Sequence, residues 1–128
     1  MENIKQSLNM LGAALHLRGK RNEILASNIA NAATPHYKAR DIDFDEEIKR
    51  FQMDGPIKVT HDTHLPINKP IAPSKVKYRE NINPSLDGNT VELAVEQMQF
   101  AENSMRYQTT LAFLSGKIGT LMSAIKGE

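Results

Sequence analysis

His61-Asp62-Thr63-His64 places two imidazoles and a carboxylate within four residues, the spacing at which a metal-site search begins. Metal sites in proteins use three or four ligands held by fixed elements. Here the segment runs directly into Leu65-Pro66, with no helix to aim both rings, so it reads as a solvated loop. The acidic run from Asp41 to Glu47 resembles a calcium loop in its alternation, but lacks the glycine required at the sixth position and interleaves Ile42 and Phe44. It reads as a strand edge or a helix start. The chain has no cysteine, no phosphate-binding glycine loop and no serine-nucleophile motif. No catalytic residue, metal site or cofactor is expected, and an enzyme is not the reading. The remaining chemical candidate is the basic patch from His16 to Arg21, which offers charge for phosphate contacts but no interleaved aromatics. A helical DNA-associated regulator using residues 16–21 is the alternative it supports. A metal-dependent enzyme using His61 and His64 is a third.

The elements that must position these residues are mostly helical. At 128 residues the chain is at most one ordinary domain, and its net charge of +1 demands no polyanionic partner. Residues 1–40 carry six Lys or Arg against two acids, whereas residues 85–128 carry three against five, so the two ends attract each other weakly. The start, Met1-Glu2-Asn3-Ile4-Lys5, has neither the basic region nor the apolar stretch of a signal peptide, so none is expected to be cleaved.

The last 36 residues form one helix in this reading. One seam takes Leu93, Phe100, Tyr107, Leu111, Leu114, Ile118, Leu121 and Ile125 at alternating three and four spacing, with Gln97 and Ser104 as polar interruptions. A second face, about 150° away at ~100° per residue, takes Val91, Val95, Met98, Met105, Ala112, Gly116, Gly119 and Ser123. A helix apolar on two sides needs neighbours that so short a chain does not supply. Lys117 and the hydroxyl residues around it argue against a membrane span and for burial in protein. Asp87-Gly88 is a turn, Asn89 is expected to cap this helix with Glu92 completing a capping box, and Gly127 suits its end.

The N-terminal helix takes Ile4, Leu8, Leu11, Leu15, Leu25 and Ile29 in one phase, interrupted by Arg18 and Asn22, and stops before Thr34-Pro35. Between the helices lies a proline-rich stretch. Lys58-Val59-Thr60 and Lys75-Val76-Lys77-Tyr78 read as short strands, and Phe44–Met53 as a short helix with Ile48 and Phe51 facing inward. The expected fold is mainly α: two long terminal helices form an elongated coiled-coil-like hairpin, with an extended Pro-rich middle segment containing short β-strands. The divisions are residues 1–36, 37–89 and 90–128. Four interior glycines, Gly12, Gly19, Gly116 and Gly119, cost roughly 4 kcal/mol in helix propensity. Against a total stability of only 5 to 15 kcal/mol, the two ends are expected to be largely disordered in the dilute monomer and to order on assembly.

One segment narrows the choice. Asn28-Ile29-Ala30-Asn31, followed by Thr34-Pro35-His36-Tyr37-Lys38, resembles the helix-end signature of the bacterial flagellar basal-body rod protein family, with His36 in place of the usual glycine. Histidine tolerates positive φ better than most residues. The resemblance extends over Ala39–Phe44, Asp87–Leu93, Glu96, Phe100–Asn103 and Leu121–Gly127, and the short middle segment matches the short proximal rod subunits. It implies a structural subunit, exported uncleaved by the flagellar type III apparatus to the periplasmic basal body. There it would stack with copies of itself, other rod proteins and the membrane-ring and adaptor proteins at the rod base, transmitting torque around an export channel. It implies neither nucleic-acid binding nor membrane insertion. The residues expected to pack between subunits are Leu111, Leu114, Gly116, Ile118, Gly119 and Leu121.

Overall fold

A computed structural model describes residues 2–53, 74–80 and 85–127. The strand expected at Lys58–Thr60 and the pair His61 and His64 lie outside the described residues. The chain runs α1 (Glu2–Ala30), β1 (Arg40–Ile42), α2 (Phe44–Met53), β2 (Val76–Tyr78) and α3 (Leu93–Lys126). It is mainly helical, and at ~1.5 Å per residue α1 and α3 extend for about 43 and 51 Å.

α1 gives way after Ala30 to turns over residues 31–36, which contain the Pro35 that cannot continue a helix. α2 begins where Asp43 caps it, its Oδ1 accepting from the Glu46 N–H at 3.1 Å, with Asp45, Glu46 and Glu47 in the first turn to complement the helix dipole. The acidic run is therefore the end of β1 and the start of α2. β1 and β2 pair antiparallel with Asp41 opposite Lys77, and the Arg79 N–H donates to the Ala39 carbonyl at 2.9 Å beyond the last pair. α3 ends at Gly127 in the left-handed conformation.

α1 serves two neighbours. On one side Leu17 and Ile24 bury with Ile42, and Phe44 and Ile48 pack against them, the inward position foreseen for Ile48. On another side α1 meets α3: Asn28 contacts Glu96, Asn22 contacts Asn103, and Lys117 reaches Ser7. The paired numbers move in opposite senses, so the two helices run in opposite directions.

The face of α3 turned to α1 differs from the apolar seam read in the sequence. Phe100, Tyr107, Leu114 and Leu121 are half-buried as expected, but their companions in the seam are Glu96, Asn103 and Thr110. Leu93, Leu111, Ile118 and Ile125 remain exposed. The correction has a physical cause: the polar side chain of Asn22, an interruption on α1, and the backbone carbonyl of Arg18 one turn before it are met by a polar residue of α3 and not by an apolar one. Asn103 Nδ2 donates to the Arg18 carbonyl at 2.8 Å and to Asn22 Oδ1 at 2.7 Å.

Candidate assembly interface

Asn28 has no exposed surface and acts as a piece of backbone inserted between three elements. Its Oδ1 accepts from the Arg40 N–H at 3.1 Å, while its Nδ2 donates to the Arg40 carbonyl at 2.7 Å and to Glu96 Oε2 at 3.0 Å. One side chain thereby ties α1 to β1 and α3. Three residues on, Asn31 Nδ2 donates to the Ser27 carbonyl at 2.8 Å, satisfying an acceptor near the helix end, and Thr34 Oγ1 donates to Asn31 Oδ1 at 3.2 Å. Tyr37 anchors the returning chain: its hydroxyl lies 3.1 Å from Ser27 Oγ and donates to Asn28 Oδ1 at 3.4 Å. Ile29 is half-buried, whereas Ala30 and Pro35 are exposed at the rim. His36 turns the chain at φ 60°, and its N–H donates to the Asp87 carbonyl at 3.0 Å. Gly88, also at positive φ, is required there, since a Cβ would stand 2.9 Å from His36 Nδ1.

Asn89 corrects an expectation. Its Nδ2 donates to the carbonyls of Asn31, Ala32 and Thr34 at 2.9 to 3.1 Å, and its Oδ1 accepts from the Val91 N–H. It caps the end of α1 and not the start of α3. The N-cap of α3 is Glu92, in extended conformation with no side-chain capping bond, so the expected capping box does not form. Carbonyls clustered past a helix C-terminus carry partial negative charge and attract an amide donor. An asparagine four residues before a helix is read from sequence as that helix's cap; the competing helix end is invisible without the fold.

A chain of charges closes the joint. Arg21 grips Asp41 with two bonds, Nε to Oδ1 at 2.8 Å and Nη2 to Oδ2 at 2.9 Å, and Nη2 also donates to Gln99 Oε1. Arg79, one residue past β2, bridges Asp41 Oδ2 at 2.5 Å and Glu96 Oε1 at 2.6 Å. Glu96 is buried, with 1% of its surface exposed. Burial pushes the Asp41 carboxyl up, but the bonds from Arg21 and Arg79 outweigh it and hold its pKa below the ordinary value; the same bonds raise that of Arg21. The sequence marked Glu96 only as part of the family resemblance and gave no role to Arg21, Asp41 or Arg79 in a joint. Their signal was weak: four ordinary surface-type residues spread over 76 positions.

Farther along α3 the character reverses. Leu111 and Ile118 are each 44% exposed and Ile125 85%, while an added Cβ at Gly116 or Gly119 would meet nothing within 4 Å. An open groove of about 420 Å³ is lined by Ile4, Ala112, Phe113, Gly116, Lys117 and Leu121. The six residues expected to pack between subunits therefore separate into Leu114 and Leu121, half-buried in the face turned to α1, and Leu111, Gly116, Ile118 and Gly119, exposed.

No protein-family model matches the chain. Individual relatives do. The flagellar basal body rod protein FlgB of Cereibacter sphaeroides is 54% identical over 128 residues, covering all of both chains. That of Escherichia coli K12 is 40% identical over 98% of this chain and 97% of its own, and that of Aeromonas hydrophila 42% identical over 90% and 89%. The chain belongs to the FlgB family of flagellar basal body rod proteins. It is a structural subunit of the basal-body rod.

Membership in the FlgB family gives the basic patch a different meaning. Arg18 stacks over the Phe44 ring, 4.1 Å from its centroid, with its pKa lowered first by burial and then by Arg106 and Arg21. Arg21 holds Asp41, and Lys20 pairs with Glu23. The patch is engaged within the molecule, and nothing supports a DNA-regulator role. Among the described residues no helix is long and apolar enough to cross a membrane.

Proposed function

We propose that the chain builds the proximal rod by stacking helically with copies of itself and with other rod proteins. α1 and α3 form an elongated coiled-coil-like hairpin that enters the wall of a tube, gaining full order on assembly, while the segment between them makes lateral and axial contacts. Residues 1–36 and 90–128 are then the rod core, and residues 37–89 the contact element. In this role the protein passes torque along the rod and surrounds the export channel. It reaches the periplasm through the flagellar type III apparatus without a cleaved signal peptide, and meets membrane-ring and adaptor proteins at the rod base.

The observation that carries this reading is the bare apolar half of α3. Contiguous exposed apolar surface at helical spacing marks a surface meant to be covered. Gly116 and Gly119, with open space above them on the second face of α3, admit a neighbouring backbone closely on the side away from Leu111 and Ile118.

Gly116→Leu tests it cleanly. Because none of the described residues has an atom within 4 Å of an added Cβ, they leave room for the leucine. Rod assembly and motility are expected to be lost while the mutant chain is still secreted; normal swimming would refute close packing at this position.

A further inference from the structure

We infer that Asn103, through Asn22 and the Arg18 carbonyl, is a rotational lock that keeps the apolar column Leu111, Ile118 and Ile125 facing outward. The inference rests on the assembly role proposed for that column and adds the residue that presents it.

Two seams compete on α3. They share Phe100, Tyr107, Leu114 and Leu121. One completes the heptad with Glu96, Asn103, Thr110 and Lys117, all polar; the other with Leu111, Ile118 and Ile125, all apolar past residue 104. Their centres differ by roughly 50°, half of the ~100° between successive residues. Apolar burial alone favours rolling α3 by that angle, which would bury Leu111 and Ile118 against α1 and leave little for a neighbouring subunit. The structure adopts the polar seam.

What holds it there is specific. Asn103 is 1% exposed and donates to the Arg18 carbonyl and to Asn22 Oδ1, while Ser104 Oγ lies 3.5 Å from the same Asn22 oxygen. At the start of the helix, Glu96 is held by Asn28 and Arg79. Rolling α3 would break both Asn103 bonds, taking the donor from the Arg18 carbonyl and leaving Ser104 to meet the Asn22 oxygen in place of the amide. Among the described residues, Asn103 Oδ1 is buried and meets no donor. A buried, incompletely satisfied amide in a helix seam does not serve stability; its attested use is to fix one arrangement among several.

The chain has no cysteine, so single thiols report the roll directly. Thr110→Cys and Leu111→Cys are introduced one at a time into the full chain, as a monomer, and alkylation rates are measured with and without Asn22→Ala/Asn103→Ala. The lock predicts that Leu111→Cys reacts faster than Thr110→Cys in the parent, and that the order reverses when the asparagines are removed. A general loosening accelerates both sites and leaves no reversal. Gln97→Leu/Ser104→Leu, which strengthens the competing seam while leaving Asn103 in place, gives a second route to the same reversal. An unchanged order in both backgrounds, or equal rates in the parent, overturns the lock. A reversal with assembly and motility intact leaves the lock standing and removes the assembly role of the Leu111 column.

Discussion

The joint around Asn28 and the far half of α3 solve the same problem, how to hold one helix beside another, by opposite means. At the joint polar side chains are buried as deeply as apolar ones: Asn28, Glu96, Asn103 and Asn89 stand with Leu25, Ala39 and Ile42 among the least exposed of the described residues. In the far half large apolar side chains stand exposed, among them Phe113, Ile118, Met122 and Ile125. Buried polar groups hold their place only when their hydrogen bonds are made, and those bonds are directional, so the joint has one geometry. Apolar surface is non-directional and accepts any cover of suitable shape. The chain thus fixes its internal geometry with polar contacts at one end and offers its adhesive surface at the other.

The sharpest way to break the contrast is at Glu96. Glu96→Ala leaves the Arg79 guanidinium and the Asn28 amide without their shared acceptor, and loss of one partner from a buried pair costs about 3 to 5 kcal/mol, toward the lower figure because Arg79 is a quarter exposed. Urea unfolding followed by circular dichroism should show that loss. A smaller effect comes with acid. Because the Asp41 pKa is depressed in the folded chain, its contribution to stability is present above the unfolded value of about 3.9 and disappears as pH falls through the folded value. Urea midpoints should therefore be flat near neutrality and drop below about pH 4, with Asp41→Asn flattening that drop. The smallest effect belongs to the other region. Ile118→Ser should change monomer stability by no more than about 0.5 kcal/mol, as exposed positions do. Assembly into rods should nevertheless fail, which sedimentation of isolated basal bodies would register.

Much of the fold was legible in residue order because local rules decided it. Thr34-Pro35 ended α1, Asp43 and three acids began α2, Gly127 closed α3, and the alternation around Lys77 marked β2. His36 accepted the positive φ that the helix-end motif demanded. The rotation of α3 was not legible: two heptad phases that share Phe100, Tyr107, Leu114 and Leu121 differ only in which second column faces inward, and hydrophobicity favours the wrong one. The clue was present on the other helix, where Asn22 interrupts the apolar phase and its side-chain oxygen requires a polar partner such as Asn103. The joint was half legible. The motif asparagines and Tyr37 stood out as a group, but Asn89 was assigned to the helix it precedes, and the Arg21–Asp41–Arg79–Glu96 chain needed the strands in place before its members met.

Amide hydrogen exchange along α3 in a proven monomer compares the two regions in one experiment. Residues 93–104, held by the joint, should exchange at least about tenfold more slowly than residues 108–126, a difference of ~1.4 kcal/mol in opening free energy. Equal, strong protection along the whole helix would mean that α1 alone satisfies α3, and would contradict the claim that its far half awaits a neighbour.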